Sequence, residues 1–415
     1  MVRRRQVRVR DPLVSVTDGP GYPLLLDVRD RRVLVVGGGP VAARRSRGLV
    51  DAGAAVHVVA PFVCEDLWDA AECGSLTVNL REFVLDDLDG AWLVHTATGD
   101  RAVDDLVARE AELRRMWCVR ADDEGRSAAW TPAVARVGDV VVAVNAGGDP
   151  RRAAALRNAI GGRLTAGTLP LRHHRSGPGT GWVALVGGGP GDPGLITTRG
   201  RQLLAEADVV VVDRLAPRAL LDELDPAVEV VEAGKAPHAH TLSQDEINAL
   251  LVEHASAGRR VVRLKGGDPY VLGRGSEEAQ ACRAAGVPVE VVPGVTSALA
   301  VPAAAGIPVT ARGVTSRFTV VSGHDGPLDF AGLAALDGTL VFLMGVGRLA
   351  EIADSLVAHG RDRGEPVAVI ERGKTPEQRV TRATLATIAA RASQRGVQSP
   401  AVIVIGHVAA MGSES

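Results

Sequence analysis

A chain of 415 residues exceeds what one ordinary core encloses, so two or three domains are expected. With 46% hydrophobic and 23% charged residues it reads as globular; a net charge of −2 and 3% aromatic residues supply neither the basic surface nor the stacking platforms of a nucleic-acid binder. Cys64, Cys73, Cys118 and Cys282 form no CxxC pair, which argues for a reducing compartment and against structural zinc.

The amino terminus is arginine-rich, yet Asp11-Pro12-Leu13 follows where a secretory signal requires an apolar run. Residues 1–22 therefore read as an exposed basic tail. No stretch approaches the roughly 18 apolar residues of a membrane span, so a cytoplasmic protein without a membrane partner is expected. Of 47 basic residues only Lys235, Lys265 and Lys374 are lysines. A lysine kept in so arginine-biased a chain either marks a place that needs a compact, titratable ammonium or survives by chance.

Leu24–Asp27 and Val33–Val36 read as short strands, the second running into Gly37-Gly38-Gly39-Pro40-Val41-Ala42. A helix is predicted from about Val41 to Ala52, ended by Gly53. Val56–Val59 is the next strand, stopped by Pro61. Trp92–Ala97 follows, then a helix opened by Thr98-Gly99-Asp100 and strands at Trp117–Arg120 and Val140–Val144. Strands alternating with helices predict a doubly wound parallel sheet over residues 23–157. Residues 151–164 read as one helix, and the Gly/Pro-rich stretch that closes the linker at 158–181 holds His173 and His174, read as solvated side chains rather than metal ligands.

The second half alternates again. Strands at Val183–Val186, Val209–Val212, Val228–Val231 and Val261–Leu264 are spaced by helices at Ile196–Ala205 and Ser243–Ala257, the latter opened by a Ser243/Glu246 capping box. Beyond Gly294–Pro308 come strands at Phe318–Ser322, Thr339–Met344, Val367–Ile370 and Ala401–Ile405. Two subdomains are expected, 182–297 and 298–410.

Two strand-then-glycine turns carry the chemistry. Gly37-x-Gly39-x-x-Ala42 lies between a strand and a helix, as a dinucleotide fingerprint requires, because glycines admit the pyrophosphate and a helix N-terminus stabilises its charge. The acid expected on the ribose is missing where the strand ends Val59-Ala60-Pro61-Phe62, so a tight turn without a ligand stays open. Asp122, beyond Trp117–Arg120, stands where open α/β sheets bind ligands; it is either a proton acceptor beside a nicotinamide or a solvated loop acid. The second turn, Gly187-x-Gly189, echoes the first, but Pro190 and Pro193 prevent a helix from starting at its third glycine. It therefore reads as a cleft-lining loop, and Asp213 at the end of the next strand is freed from binding a ribose. Arg263–Tyr270, Gly273-Arg274-Gly275 and Val292–Ser297 add further turns at strand ends, which together predict a trough for a folded ligand held by backbone groups.

The ordered motifs GGGPGDPGLIT, VVDRL, GK, RLKGGDPYVLGRG, PGVTS and GIPVTAR resemble the tetrapyrrole (precorrin) methyltransferases, above all uroporphyrinogen-III C-methyltransferase, over about residues 182–410. Residues from about Pro23 to Leu156 resemble the precorrin-2 dehydrogenase/sirohydrochlorin ferrochelatase module, and the fusion in this order is similar to the siroheme synthases. The fold implied is an N-terminal Rossmann-like parallel sheet followed by a two-subdomain methyltransferase α/β fold. The resemblance implies S-adenosylmethionine at Pro190, Gly266, Gly267, Asp268, Val271, Thr296, Ser297, Met344 and Gly373, with Asp213 as proton acceptor and Lys235 as proton donor. It implies NAD at Gly37, Gly39, Pro40, Val41, Pro61 and Phe62, Asp122 as the acid of dehydrogenation and chelation, Fe2+ as a substrate, and a homodimer. Arg214, Arg263, Arg274 and Arg312 are candidate anchors for substrate carboxylates or else structural arginines. Where the family carries a long dimerising helical segment, about 30 residues separate Pro150 from Gly181, which implies a reduced first module that binds NAD without completing siroheme. The rival readings are a dehydrogenase with dinucleotides at both turns, a non-catalytic redox sensor, and a methyltransferase for a later cobalamin-branch precorrin.

Overall fold

The computed structural model describes residues 21–169, 171–172, 181–233, 242–324 and 326–411. Residues 1–20 of the basic tail, His173, His174 and Lys235 lie outside the described residues. The chain divides after Ile160 into two compact units.

The first unit runs β1 (Arg32–Val36), α1 (Pro40–Asp51), β2 (Ala55–Ala60), α2 (Glu65–Glu72), β3 (Thr77–Leu80), β4 (Leu93–Thr96), α3 (Arg101–Leu113) and β5 (Trp117–Arg120). The five strands form one sheet in the order β3-β2-β1-β4-β5, every neighbouring pair parallel. The pleat of β1 explains its unbroken apolar run. Val33 and Val35 pack with Ala42, Val56 and Val58 on one face, whereas Leu34 and Val36 pack with Val107, Ala111 and Cys118 on the other. Chain order reverses between β1 and β4, which opens a crevice at the carboxyl ends of those strands.

Two expectations for this unit fail. Residues 24–27 form no strand, and Leu24 and Leu25 are exposed. Val140–Val144 does not join the parallel sheet. It is β7, paired antiparallel with β6 (Ala133–Val137) in a separate hairpin that turns at Gly138, whose φ is +59°. The helix predicted next is α4 (Pro150–Thr165), so residues 158–165, assigned to the linker, are helical.

The second unit holds two sheets. The first is built from β8 (Trp182–Gly187), α5 (Thr198–Glu206), β9 (Val209–Val212), β10 (Glu229–Glu232), α6 (Gln244–Ser256), β11 (Arg260–Lys265), α7 (Gly275–Ala284) and β12 (Val289–Val292). Its order is β10-β9-β11-β8-β12 and all pairs are parallel, so every carboxyl end lies on one edge. As the prolines require, α5 does not follow the glycine turn directly. It begins at Thr198, capped by the Thr197 hydroxyl. Ser243 and Glu246 form the predicted capping box on α6.

After α8 (Ser297–Ala304) come β13 (Phe318–Ser322), α9 (Phe330–Ala335), β14 (Thr339–Leu343), α10 (Leu349–Ala358), β15 (Pro366–Glu371), β16 (Arg379–Thr384), α11 (Ile388–Gln394) and β17 (Ala401–Ile405). They form a mixed sheet, β13-β14-β17-β15-β16, in which only β13 and β14 run parallel. Among the described residues, no helix is long and apolar enough to cross a membrane.

Candidate functional sites

In the first unit the turn after β1 meets the loop after β4. A Cβ on Gly37 (φ +129°) would lie 2.3 Å from the Ala97 carbonyl oxygen, and one on Gly38 would lie 1.7 Å from the Phe62 carbonyl oxygen. Those two glycines are required by packing. Gly39, the residue preceding α1, has an ordinary φ of −85° and nothing within 4 Å of its Cβ position, so its face of the turn is open at a helix N-terminus. Pro40, Val41, Pro61 and Phe62 are all exposed around it, Phe62 by 71%. The open face fits a dinucleotide pyrophosphate, with apolar side chains at its rim.

Asp122 is exposed on its loop, yet paired. The buried Arg120 guanidinium grips it with two parallel bonds, Nε to Oδ1 at 2.9 Å and Nη2 to Oδ2 at 2.7 Å, which hold its carboxyl below the usual range. Asp104 on α3 is buried and accepts from the Thr98 hydroxyl at 2.8 Å; burial pushes its carboxyl up. His95 on β4 is likewise buried, and burial lowers it to about 3, so it stays neutral.

In the second unit three loops knit at the carboxyl edge. Gly189 and Gly267 exchange backbone hydrogen bonds of 3.2 and 2.7 Å, joining the turn after β8 to the turn after β11. Asp268 accepts from Gly294 N at 3.0 Å and from Tyr270 N at 2.8 Å, tying in the loop after β12. Backbones touch where they meet: a Cβ on Gly294 would lie 2.2 Å from the Gly267 carbonyl oxygen, and one on Gly187 would lie 2.6 Å from Gly294 N. Gly267 (φ +65°) faces Ser297, and Thr296 caps α8 through Ala298 N. Gly266 packs on Leu215, two residues beyond Asp213. Val271 is half-buried in the same turn, its N–H directed to the Asp268 carbonyl.

The second sheet reaches this edge through its own loops. Gly191 abuts Gly373, Lys374 and Thr375, and Gly373 packs on Val301 of α8. Met344 follows β14 in a left-handed conformation (φ +58°) and is 48% exposed. Pro190 lies half-buried between Gly189 and Gly191.

Asp213 stands at the end of β9 with its N–H on the Leu264 carbonyl and its Oδ1 accepting from Arg214 N at 2.9 Å. Below it lies a buried ionic cluster. Glu278, fully buried on α7, accepts from Arg263 Nε at 3.0 Å and from Lys265 Nζ at 3.0 Å through each oxygen. Arg263 Nη2 also lies 3.8 Å from Asp213 Oδ1. Arg263 is thus buried against protein carboxylates, whereas Arg214, Arg312 and Arg274, the last paired with Glu277, are exposed. Glu278 and Arg120 were missed from sequence. Lys265, one of the three lysines, is buried and ion-paired.

Residues 183–389 match the tetrapyrrole (corrin/porphyrin) methylases, and residues 24–133 match an NAD(P)-binding family. The siroheme synthase of Tolumonas auensis is 38% identical over 94% of this chain and 94% of its own. The chain belongs to the siroheme synthase family. Among solved structures, the uroporphyrin-III C-methyl transferase from Thermus thermophilus complexed with S-adenyl homocysteine is 46% identical, over 55% of this chain and 98% of its own, with a TM-score of 0.49. A cobalt precorrin-4 methyltransferase is 27% identical over 55% of this chain and 95% of its own, with a TM-score of 0.50.

Membership in the siroheme synthases weighs against two rival readings. The methylase match over the second glycine turn removes a dinucleotide from it. Siroheme synthases that match over almost their whole length do not favour a later-precorrin enzyme, nor a first unit reduced to NAD binding.

Proposed function

We propose that the second unit methylates uroporphyrinogen III twice to give precorrin-2, and that the first unit oxidises precorrin-2 to sirohydrochlorin with NAD and inserts Fe2+, a substrate, to give siroheme. The observation that carries this reading is the knitted trough of the second unit, with Asp213 at its edge, in a chain whose other unit has the reversed-order crevice of a dinucleotide binder.

In the second unit S-adenosylmethionine, when bound, supplies an electrophilic sulfonium methyl. Pro190, Gly266, Gly267, Asp268, Val271, Thr296, Ser297, Met344 and Gly373 hold it, largely through backbone groups. The methylated pyrrole carbon is fully substituted, so the positive charge left by the transfer is discharged by losing a proton from elsewhere on the macrocycle, and Asp213, about a third exposed beside the trough, takes it. Lys235 is the proton donor. Arg214 and Arg312 pair with substrate carboxylates. In the first unit NAD, when bound, accepts a hydride; Gly37, Gly39, Pro40, Val41, Pro61 and Phe62 hold it, and Asp122 takes the accompanying proton. The division into 23–157, 182–297 and 298–410 belongs to the same reading, as does a homodimer working in the cytoplasm.

Incubation with S-adenosylmethionine and uroporphyrinogen III, followed by mass analysis, is expected to show two added methyls; no mass gain would overturn the assignment. Adding NAD and Fe2+ is then expected to yield siroheme.

The two packing classes of glycine separate fold from ligand. Gly39→Ala is expected to weaken NAD binding by about tenfold or more with an unchanged melting temperature, because its Cβ enters open space. Gly38→Ala, which collides with a backbone carbonyl, is expected to lower the melting temperature of the first unit as well. Calorimetric NAD titration alongside thermal melts reads both, and identical behaviour of the two variants would refute the distinction.

A further inference from the structure

Arg120 ends β5, the edge strand, opposite Thr96 of β4, and so stands one strand beyond the point where chain order reverses. Its side chain is 1% exposed, an expensive place for a guanidinium unless carboxylates meet it in good geometry. They do, on both sides. Toward the loop, Nε and Nη2 meet the two oxygens of Asp122 at 2.9 and 2.7 Å, a fork-to-fork pair. Behind, Nη1 donates to Asp105 of α3. Asp105 also takes Arg126 Nη1 at 3.1 and 3.2 Å, and Asp123 pairs with Arg126 at 3.5 Å and Arg101 at 3.8 Å. The Ser127 hydroxyl accepts from Arg120 N at 2.9 Å and pins its backbone.

We infer that Arg120 is a positioning residue for the oxidation step, fixing the Asp122 carboxylate in one orientation through a guanidinium that Asp105 braces from behind. This rests on the reading that Asp122 accepts the proton. A carboxylate on a loop of several small and polar residues samples several rotamers. A bidentate partner on a rigid strand removes that freedom and leaves the outward lone pairs of Asp122 for the substrate. The clamp also sets the charge state. Arg120 faces Asp122 from β5, Asp104 and Asp105 face the cluster from α3, and Asp123 and Arg126 flank it on the loop. Of these, the Arg120 hydrogen bonds are the largest influence and keep Asp122 ionised to lower pH. Proton acceptance therefore relies on geometry more than on basicity: a carboxylate of depressed affinity for protons gains from being aimed.

The test uses the full chain with precorrin-2 and NAD, following NADH formation across pH. Arg120→Met is expected to lower kcat by about tenfold or more, to leave the KM for NAD within about twofold, and to move the acid limb of the profile to higher pH. Arg120→Lys restores charge without the fork, so it is expected to return the acid limb toward that of the parent while kcat stays low. A folded Arg120→Met protein with parental kcat and acid limb overturns the proposal. Should Arg120→Met not fold, Asp105→Asn decides: a lowered kcat with the KM for NAD within about twofold supports the clamp, and an unchanged kcat overturns it. Asp122→Asn separates the two readings, since full activity in that variant would remove the proton acceptor itself, whatever Arg120 does.

Discussion

Asp213→Asn is expected to slow methyl transfer by about 10²- to 10⁴-fold, the usual contribution of a positioned proton acceptor, while S-adenosylmethionine binding changes by less than about twofold. The asymmetry follows from geometry. Gly189 and Gly267 hold each other through backbone bonds, and the Asp268 carboxylate holds Gly294 N, none of which involves the Asp213 side chain. Asn preserves the acceptor for Arg214 N and the volume, and removes only the charge and the ability to take a proton. Single-turnover mass analysis gives the rate, and calorimetry gives the affinity. A loss of affinity as large as the loss of rate would assign Asp213 to the architecture of the trough instead.

Glu278→Ala is expected to destabilise the second unit by about 3–5 kcal/mol, because it strands two cations, Arg263 and Lys265, that are each 3% exposed. For a unit of this size that corresponds to a fall in melting temperature on the order of 10 °C. Lys265 is already pushed down by burial, then by the neighbouring Arg263, with Glu278 the main opposing influence. In the variant it therefore sheds its proton more readily, and part of the lost stability is expected to return as pH rises. A melt within about 1 kcal/mol of the parent would show that the cluster is hydrated or rearranged. The intact cluster holds two positive groups and one negative, so its excess charge is directed at Asp213, 3.8 Å from Arg263.

Much of the trough was legible because proline and glycine act locally. Pro190 and Pro193 forbid an immediate helix, and α5 indeed waits until Thr198. Long-range pairing was less legible. Val140–Val144 alternates as well for a hairpin as for a parallel strand, and the choice rested on Gly138-Asp139, a two-residue hairpin signal between matched runs. Edge strands such as β3, with Asn79 in its middle, carry too little apolar pattern to stand out. Asp105, which braces Arg120, and Glu278, the partner of Lys265, lie 15 and 13 residues away in sequence, on the preceding and the following helix respectively. Nothing in one sequence distinguishes those acids from their solvated neighbours. The crevice glycines divided in a way that spacing does not reveal either, since Gly38, outside the fingerprint, is required by packing as Gly37 is, whereas Gly39, inside it, is not.

The contact of three glycine backbones at the edge of the second unit also bears on how this surface changes over generations. Gly187, Gly267 and Gly294 come from different segments, yet neither Gly187 nor Gly294 can gain a side chain without displacing the backbone of the other and of Gly267. Drift in one loop is therefore answerable to the other two, and an insertion accepted by any of them must leave the junction untouched. Innovation in ligand choice is channelled outward, to exposed positions such as Arg214, Arg312 and Met344, where a residue can be exchanged without renegotiating the loops beneath it.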